Sequence, residues 1–455
     1  MKLSMTFHLV TVIALAGLTA QLCAAQYSTL YSFKGGSDGA SPYGGLTLGK
    51  SGVLYGTTFG GGDYAGDGTV FSFALEEDSW IHTVLLTFNR TGGSMPAANL
   101  VLGGDQFLYG TTVGGGSGAG TIFELVPSKA GEWEEALLYT FDSDHGSDNH
   151  TPWGAVLIGP DGSLYTTARG GTAVALTPPV TPDGPYTGSV IYTFAGYGGQ
   201  STGPLAGFVS EGGALYGTTF SCTPDGCGAA YELTPPAVAG GTWIETTLHN
   251  FGAVEGDGAG PAASLTVGQG GVLYGTTFYG GPGRSCAYPK QNGCGTVFQL
   301  TPPAGAGGAW TETVLYSFTG LAGDGAFPGG PVVVGENGVL YGTTEYGGGG
   351  GSCSYYEAYG CGTVYQLTPP ALPDGSWTET VLHTFTGQNG DGAVPIAGVR
   401  FRRSALRRHF SRWFCGSGRH FRDLAVVVAF ATAYRATAAD IATVRGCSPA
   451  LASTA

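Results

Sequence analysis

Short runs of apolar and polar residues recur along the chain, each closed by glycine or proline. In the unit around Tyr341, a β-branched run at residues 330–334 ends in a Gly-Glu-Asn-Gly turn, and a second run follows at 339–343. A third run at 362–367 stops at a Pro-Pro pair, because proline cannot donate to a sheet ladder. The fourth run, 377–385, alternates between polar and apolar residues. Such runs between turn residues predict four antiparallel strands, named a to d in chain order.

The phrase Leu-Tyr-Gly-Thr-Thr, or a close variant, marks strand b in six successive units. Its tyrosines are Tyr55, Tyr109, Tyr165, Tyr216, Tyr274 and Tyr341. Subtracting each number from the next gives 51 to 67 residues per unit. Four strands repeated at this spacing are typical of a β-propeller, in which each sheet forms one blade.

The strand d pattern occurs seven times, and its first copy precedes any strand a, b or c. The copies end at Phe33, Phe88, Phe141, Phe194, Phe251, Phe318 and Phe385. A chain that begins with a lone strand d closes a ring when it ends with strands a, b and c, and closure hides the sheet edges. We therefore expect an all-β fold, a β-propeller of about seven four-stranded antiparallel blades. Its last blade would be shared between the termini and incomplete in this chain; a linear β-repeat solenoid is the alternative.

Composition favours a folded, turn-rich protein. The 455 residues include 84 Gly and 25 Pro, a level at which disorder has to be considered. Aromatic residues nevertheless make up 12% of the chain, and the glycines fall at fixed places in the repeat. A globular all-β repeat domain at residues 26–399 accounts for both observations.

The N-terminus predicts export. Residues 1–25 read as a signal peptide, with Lys2 at the start, an apolar run at 7–18, and small residues at 23–25 before Gln26. The apolar run is too short to serve as a membrane anchor in the mature protein. We therefore expect the protein outside the cell or on its surface.

Charge separates the repeat domain from the C-terminus. Up to Val399 there are 8 Lys and Arg against 30 Asp and Glu, whereas residues 400–455 contain 10 Arg and 2 Asp. An acidic body argues against nucleic acid or an anionic membrane as partner. We interpret 400–455 as an atypical Arg-rich tail.

Six cysteines form three local pairs that bracket the loop between strands b and c. The pairs are Cys222 with Cys227, Cys286 with Cys294, and Cys353 with Cys361. In an exported protein, pairs of this kind predict disulfides that hold the shape of a loop. Metal binding is the alternative, but these loops contain no histidine and lie in different units.

An Asp-Gly turn recurs between strand d and the next strand a, at Asp38, Asp257, Asp324 and Asp391. In one interpretation these carboxylates bind calcium or sugar hydroxyls, so Asp257, Asp324 and Asp391 are candidate ligand-binding residues. Apart from this calcium, we expect no cofactor. In the alternative that we favour, Asp caps its own turn and Gly adopts a positive φ.

Tyrosines in the two longest cysteine loops are further candidates for ligand binding. They are Tyr288, Tyr355, Tyr356 and Tyr359. In an antiparallel a-b-c-d sheet, the b–c loop and the d–a link emerge on the same side, so these tyrosines and the Asp-Gly turns should share one rim. Exposed aromatic rings beside acids suit stacking on carbohydrate. Alternatively, these tyrosines cover neighbouring loops.

Known catalytic motifs are absent from the sequence. It contains no Walker loop, no His-Glu-x-x-His and no Gly-x-Ser-x-Gly, so no catalytic residue is predicted. Acids from different blades could still meet in space and act as a glycosidase pair.

The recurring phrases resemble the GloVer tandem repeat. Leu-Tyr-Gly-Thr-Thr is followed by Gly-Gly, then by Gly-Thr-Val-Phe and Val-Leu-Tyr-Ser-Phe, over roughly residues 27–399. The resemblance implies an exported bacterial repeat protein without an established activity, in a family whose members carry various C-terminal surface anchors. No anchor is recognisable here, because the apolar stretch 424–434 is too short to span a membrane.

Two functions are compatible with these features. The first is a monomeric binding or structural module that recognises extracellular polysaccharide or a surface protein through one loop rim. The second is a secreted carbohydrate-active hydrolase or lyase that uses acids from several blades. We favour the binding module.

The sequence of the tail indicates that it is translated from a shifted reading frame. Residues 404–423, back-translated and read one nucleotide later, allow Ala-Leu-Tyr-Gly-Ala-Thr-Ser-Ala-Gly-Gly and then Gly-Thr-Phe-Glu, the missing b and c motifs. Trp413 has a single codon, and before Phe414 it forces Gly in the shifted frame. We therefore interpret 400–455 as a frameshifted seventh blade.

The nucleotide sequence from the codon of Gly390 to beyond that of Ala455 tests this interpretation. A frameshift predicts that another frame continues the repeat through strands b and c and then encodes a surface anchor. An unbroken frame with no such continuation would establish the Arg-rich tail as a genuine part of the protein.

Overall fold

A computed structural model of the protein describes residues 26–403, 424–429 and 439–446, apart from short gaps. The gaps are 64–65, 78, 129–130, 142–150, 182–183, 195–202, 224–225, 239, 283–285, 289–290, 306, 322, 352, 356–357, 373 and 389–390. The predicted signal peptide at 1–25 lies outside the described residues.

Six successive repeats each form a four-stranded antiparallel sheet with strands in the order a-b-c-d, numbered here as blades 1 to 6. Strands a are Thr47–Leu48, Val101–Leu102, Leu157–Ile158, Val209–Glu211, Thr266–Val267 and Val333–Val334. Strands b are Leu54–Thr58, Leu108–Thr112, Leu164–Ala168, Ala214–Thr223, Leu273–Thr277 and Leu340–Thr344. Strands c are Thr69–Glu76, Thr121–Pro127, Thr172–Thr177, Gly226–Thr234, Thr296–Thr301 and Thr363–Thr368. Strands d are Ser79–Thr87, Trp133–Thr140, Thr187–Thr193, Ile244–Asn250, Thr311–Ser317 and Thr378–Thr384.

A seventh sheet, blade 7, joins the two ends of the described chain. The N-terminal strand Gln26–Phe33 pairs with Ala439–Gly446, which pairs with Leu424–Ala429 and then Arg400–Arg403. The chain therefore forms a β-propeller, and its first strand occupies position d, as the sequence predicted. In strand count this sheet is complete, but its tail strands lack the Tyr-Gly-Thr-Thr and Gly-Thr-Val-Phe motifs.

Short 3-10 turns and two-residue strands lie in the connections between the blade strands. Three 3-10 turns precede strand b at Lys50–Gly52, Gln269–Gly271 and Glu336–Gly338. Two-residue strands pair Gly258–Ala259 with Tyr279–Gly280, Gly325–Ala326 with Tyr346–Gly347, Ala287–Tyr288 with Gln291–Asn292, and Ser354–Tyr355 with Ala358–Tyr359. Within the described ranges there is no α-helix, and none of the helical turns is long enough to cross a membrane.

The motif glycine of strand b allows an aromatic ring of strand c to lie against the backbone. Gly275 pairs with Phe298, and a Cβ at Gly275 would lie 2.4 Å from Cζ of that ring. Gly56, Gly110, Gly217 and Gly342 meet Phe71, Phe123, Tyr231 and Tyr365 in the same way. A side chain at this position would therefore displace a core aromatic group.

Blade 3 has a compensating pair of residues. Thr166 stands where the other strands b have glycine, and its partner in strand c is Val174 in place of an aromatic residue. The larger residue in strand b is thus accommodated by a smaller one opposite. Close packing of the sheet explains why the two departures from the motif occur together.

The first threonine after the motif glycine position donates a hydrogen bond from each blade to the next. Thr276 is 1% exposed, and its hydroxyl donates to the carbonyl of Gly330, ahead of strand a in blade 6, at 3.1 Å. Equivalent bonds join Thr57 to Ala98, Thr111 to Gly154, Thr167 to Ala206, Thr218 to Ala263, and Thr343 to Ala397. Six of these bonds run in one direction around the ring.

Aromatic and apolar packing accompanies these bonds between blades. The motif tyrosines are buried or half-buried, as predicted for core positions. Tyr55, Tyr165 and Tyr216 each meet a tryptophan of the following blade, with ring centroids 5.8 to 6.0 Å apart. Blade 7 meets blade 1 through Phe33, which packs with Leu54 and Phe71 in one apolar cluster.

We expect Thr276→Val to destabilise the fold by about 1–2 kcal/mol, because the isosteric valine leaves the buried carbonyl of Gly330 without its donor. Urea unfolding followed by circular dichroism measures this change. Thr311→Val, at an exposed position of the same blade, is the matched control and should change stability by less than about 0.5 kcal/mol. Equal effects of the two substitutions would show that the bond between blades contributes nothing.

Candidate functional site

The b–c loops and the d–a links lie on one face of the ring, which we call the loop face. In each of five blades, the link ahead of strand a pairs with the loop after strand b. Three are single bridges, Ala40 with Gly60, Ser94 with Gly114, and Pro152 with Ala168. Blades 5 and 6 form the two-residue pairings Gly258–Ala259 with Tyr279–Gly280 and Gly325–Ala326 with Tyr346–Gly347. The shared rim expected from the topology is thus confirmed.

The second residue after the threonine that bonds to the next blade has an equivalent position in each repeat, at the loop face. In blades 1, 2, 3, 5 and 6 its backbone N–H donates to the carbonyl of the residue before a link proline, as Phe59 does to Ser41 and Glu345 to Phe327. The six residues at this place are Phe59, Val113, Arg169, Phe220, Phe278 and Glu345. Three are aromatic and only two, Arg169 and Glu345, are ionisable, in a protein with a net charge of −14.

Aromatic side chains from the links adjoin these residues. Tyr43 follows a link proline, is 38% exposed, and meets the ring of Phe59 edge-on with centroids 4.9 Å apart. Trp153 occupies the equivalent place in blade 3, where the guanidinium of Arg169 lies 5.6 Å from its ring centroid. Trp153 is partly exposed and Arg169 exposed. The contacts hold both rings in fixed orientations at the surface.

The predicted acidic turns cap their own links. Asp257 accepts the N–H of Gly252 at 3.0 Å, Asp324 that of Thr319 at 2.7 Å, and Asp391 that of Thr386 at 2.8 Å. Asp38 accepts the N–H of Lys34 in the same way. These bonds are the capping role favoured from the sequence. The positive φ expected at the following glycine is found at Gly39 but not at Gly258 or Gly325, because these two lie in short extended strands. Each carboxylate lies at a different junction between blades.

The cysteine loops are closed by disulfides. Cys286 is bonded to Cys294 and Cys353 to Cys361, as predicted. Cys227 is also disulfide-bonded, and its backbone pairs with that of Cys222, whose side chain lies outside the described residues. The first bridge rests on Gly320, where a Cβ would lie 2.9 Å from either sulfur. The disulfide therefore fixes the b–c loop against the d–a link.

The candidate tyrosines differ from one another in exposure. Tyr355 is half-buried, stacks on Tyr346 at 5.1 Å and meets Phe327 edge-on at 5.3 Å, so it covers a neighbouring link. Tyr359 is 68% exposed. Tyr356 and the side chain of Tyr288 lie outside the described residues. Of the tyrosines that can be placed, only Tyr359 presents an open aromatic surface.

A polar cluster lies at the junction of blades 4 and 5. His249 Nε2 is 3.1 Å from Asp257 Oδ2, and Glu312 from strand d of blade 5 faces both. One donor atom from each residue lies within 4.8 Å of the others. Burial, and then the charge of Asp257, raise the pKa of Glu312 to about 7, and His249 opposes this shift.

The next junction repeats these acids without the imidazole. Asp324 and Glu379 occupy the places of Asp257 and Glu312, and Tyr316 stands in place of His249, with its hydroxyl 3.5 Å from Glu379. Burial and the charge of Asp324 raise the pKa of Glu379 to about 7. Glu312 and Glu379 were not predicted as site residues, although each precedes its strand d phenylalanine by six positions.

Glu345 is a further acid that the sequence did not single out. It follows the motif threonines on the loop face, and its carboxylate lies against Gly329, where a Cβ would be 2.1 Å from Oε1. Burial raises its pKa to about 8. The side chain is therefore a neutral carboxylic acid at pH 7, able to donate a hydrogen bond or a proton.

Comparison with protein families identifies the repeat. The Gloeobacter/Verrucomicrobia repeat matches residues 17–177 and 179–404, which include every strand of blades 1 to 6. The chain belongs to this repeat family. The match confirms the resemblance seen in the sequence, and no curated protein matches the chain.

Several solved structures are distantly similar to this family member. An oxidoreductase of Thermus thermophilus described as a glucose dehydrogenase has 16% identity and a TM-score of 0.40, over 73% of this chain and 97% of that one. An α-L-arabinofuranosidase of Clostridium thermocellum has 14% identity and a TM-score of 0.30, over 60% and 93%. The calcium structure of a carbohydrate-active enzyme of Trichoderma reesei has 11% identity and a TM-score of 0.40, over 93% and 95%. Similarity at this level does not assign an activity.

We expect Glu345→Gln to flatten the pH dependence of stability. The folded pKa of about 8 is above the ordinary 4.5, so between these values the folded state holds a proton that the unfolded chain has lost. The contribution of Glu345 to stability is therefore most favourable below pH 4.5, declines as the pH rises from there to about 8, and is then constant. One pKa unit is worth about 1.4 kcal/mol; allowing for partial access of water, we expect a difference on the order of 2 kcal/mol between pH 5 and pH 8.

Unfolding free energies of wild type and variant at the two pH values measure this difference. Glu76→Gln, an exposed glutamate at the end of a strand c, is the control for loss of a surface charge. The assignment fails if Glu345→Gln and Glu76→Gln leave the same pH dependence.

Proposed function

We propose that this repeat protein is a binding module that recognises polysaccharide through the loop face. The observation that carries the proposal is the set of fixed, partly exposed aromatic rings there, represented by Tyr43 against Phe59 and Trp153 beneath Arg169. Rigid aromatic side chains supply large contact areas at little entropic cost, and their faces suit the apolar faces of sugar rings. Few charges accompany them.

The construction of the loop face supports this proposal. Each ring is attached to a link or loop that is bonded to its neighbour through the backbone, and disulfides fix the longer loops of blades 5 and 6. A surface held in this way loses little conformational freedom when a ligand binds. Because the aromatic residues recur at equivalent places, the face suits a polymer that offers repeated sugar units.

We also propose that the protein is exported. The two described disulfides in surface loops support an oxidising location, in agreement with the signal peptide predicted for residues 1–25. An extracellular location would bring the loop face into contact with secreted or cell-wall polysaccharides. Proteolysis of intact cells, followed by detection of the repeat domain, would locate it.

We expect Tyr43→Ala together with Trp153→Ala to weaken polysaccharide binding at least about tenfold, since stacking by an aromatic side chain is worth on the order of 1 kcal/mol or more. Retention of the protein on a panel of insoluble and immobilised polysaccharides measures it. Ile81→Ala is the matched control. Ile81 is 41% exposed, similar to the 38% of Tyr43, but it lies on strand d of blade 1 and not in a link or loop of the loop face.

Two results would contradict the proposal. Binding that is equal in wild type and the double variant would place the ligand elsewhere. Failure of wild type to bind any polysaccharide, together with capture of a surface protein that the double variant loses, would assign the loop face to a protein partner.

A carbohydrate-active enzyme is a second candidate, favoured by Glu345 alone. A carboxyl group with a pKa near 8 is suited to donate a proton to a leaving oxygen at neutral pH. Hydrolysis of the bound polysaccharide by wild type, and its loss in Glu345→Gln with binding retained, would establish catalysis.

A further inference from the structure

We propose that His249, Asp257 and Glu312 bind a divalent transition-metal ion, such as zinc, between blades 4 and 5. The three side chains come from strand d of blade 4, the link that follows it, and strand d of blade 5. One donor atom from each lies within 4.8 Å of the other two, and His249 Nε2 is 3.1 Å from Asp257 Oδ2. A nitrogen and two carboxylate oxygens at this spacing can converge on one ion after small side-chain movements.

Unsatisfied oxygens within the cluster point to a ligand. The side chain of Asp257 is 2% exposed, and its Oδ1 has no hydrogen-bond partner, whereas Oδ2 is bonded to His249 and to the N–H of Gly252. Glu312 Oε1 is also buried and without a partner. Two buried acceptor atoms without partners in one cluster leave a site for a cation, because an unpaired buried carboxylate oxygen costs free energy.

The donor set selects the kind of ion. Calcium takes six to eight oxygen ligands, whereas zinc and its neighbours accept imidazole nitrogen together with carboxylates. His249 is 23% exposed and Asp257 is almost fully buried, so the imidazole lies on the solvent side of the cluster. Three protein ligands leave a further coordination position for water or another ligand.

The junction between blades 5 and 6 supplies an internal comparison. Asp324 and Glu379 have the same unpaired oxygens as Asp257 and Glu312, but Tyr316 replaces the histidine. A neutral phenol is a poor metal ligand, so this junction should not bind the ion. Exchanging histidine and tyrosine between the two junctions therefore tests the role of the imidazole without disturbing the acids.

Zinc binding is measured on the full, tag-free protein with its disulfides oxidised, by equilibrium dialysis after treatment with a chelator. We expect one zinc to bind per chain. Glu312→Gln and His249→Tyr should each lower the affinity for it at least about tenfold. Glu379→Gln, the same substitution one blade further on, should leave zinc binding unchanged. Tyr316→His should add a second zinc, which Glu379→Gln then removes.

Two results would overturn the proposal. Absence of zinc binding by wild type would do so, as would binding that persists unchanged in both His249→Tyr and Glu312→Gln. Because either substitution can disturb folding, circular dichroism is recorded for each variant, and the Tyr316→His protein provides a test by gain of a site. A second zinc gained by that protein would show that an imidazole at this position is sufficient to complete the site.

Discussion

A buried threonine hydroxyl that reaches across to the next blade is the contact on which this ring depends. The donor is the same motif residue in six blades, and the acceptor is always a carbonyl just ahead of the next strand a. Because both atoms are buried, neither can exchange its partner for water without cost. Strand b of blade 7, Leu424–Ala429, contains no threonine, so the series does not continue there. Blade 7 instead contacts blade 1 through apolar packing around Tyr31 and Phe33.

The same motif also positions the candidate binding surface. In blades 1, 2, 5 and 6 a second threonine follows the one that joins the blades and shares a hydrogen bond of 2.8 Å with the first threonine of strand c, as Thr277 does with Thr296. This bond fixes the end of strand b, and the next residue then pairs with the d–a link. In these blades the identity of that residue varies, from Phe59 to Val113 to Glu345, above the same hydrogen bond.

Most of the fold could be predicted from the sequence, because strands, turns and the seven strand d phenylalanines are recorded in local patterns. The disulfides followed from their place in each loop. Glu312 could not be found in this way, since its partners His249 and Asp257 belong to the preceding blade and the contact depends on how strands d pack. For Tyr355 the sequence left open whether the ring binds ligand or covers a neighbouring loop. The choice depends on Phe327 and Tyr346, which come from outside its loop and pack against it.

The paired change in blade 3 limits how such a gene can be rearranged. Thr166 fits because Val174 lies opposite it, and the same threonine in blade 5 would meet the ring of Phe298. Strand b and strand c therefore have to be inherited together. Duplication or recombination with breakpoints between blades preserves both halves of each pair, whereas a breakpoint inside a sheet joins mismatched halves. The whole blade is accordingly the unit by which this array can lengthen or shorten.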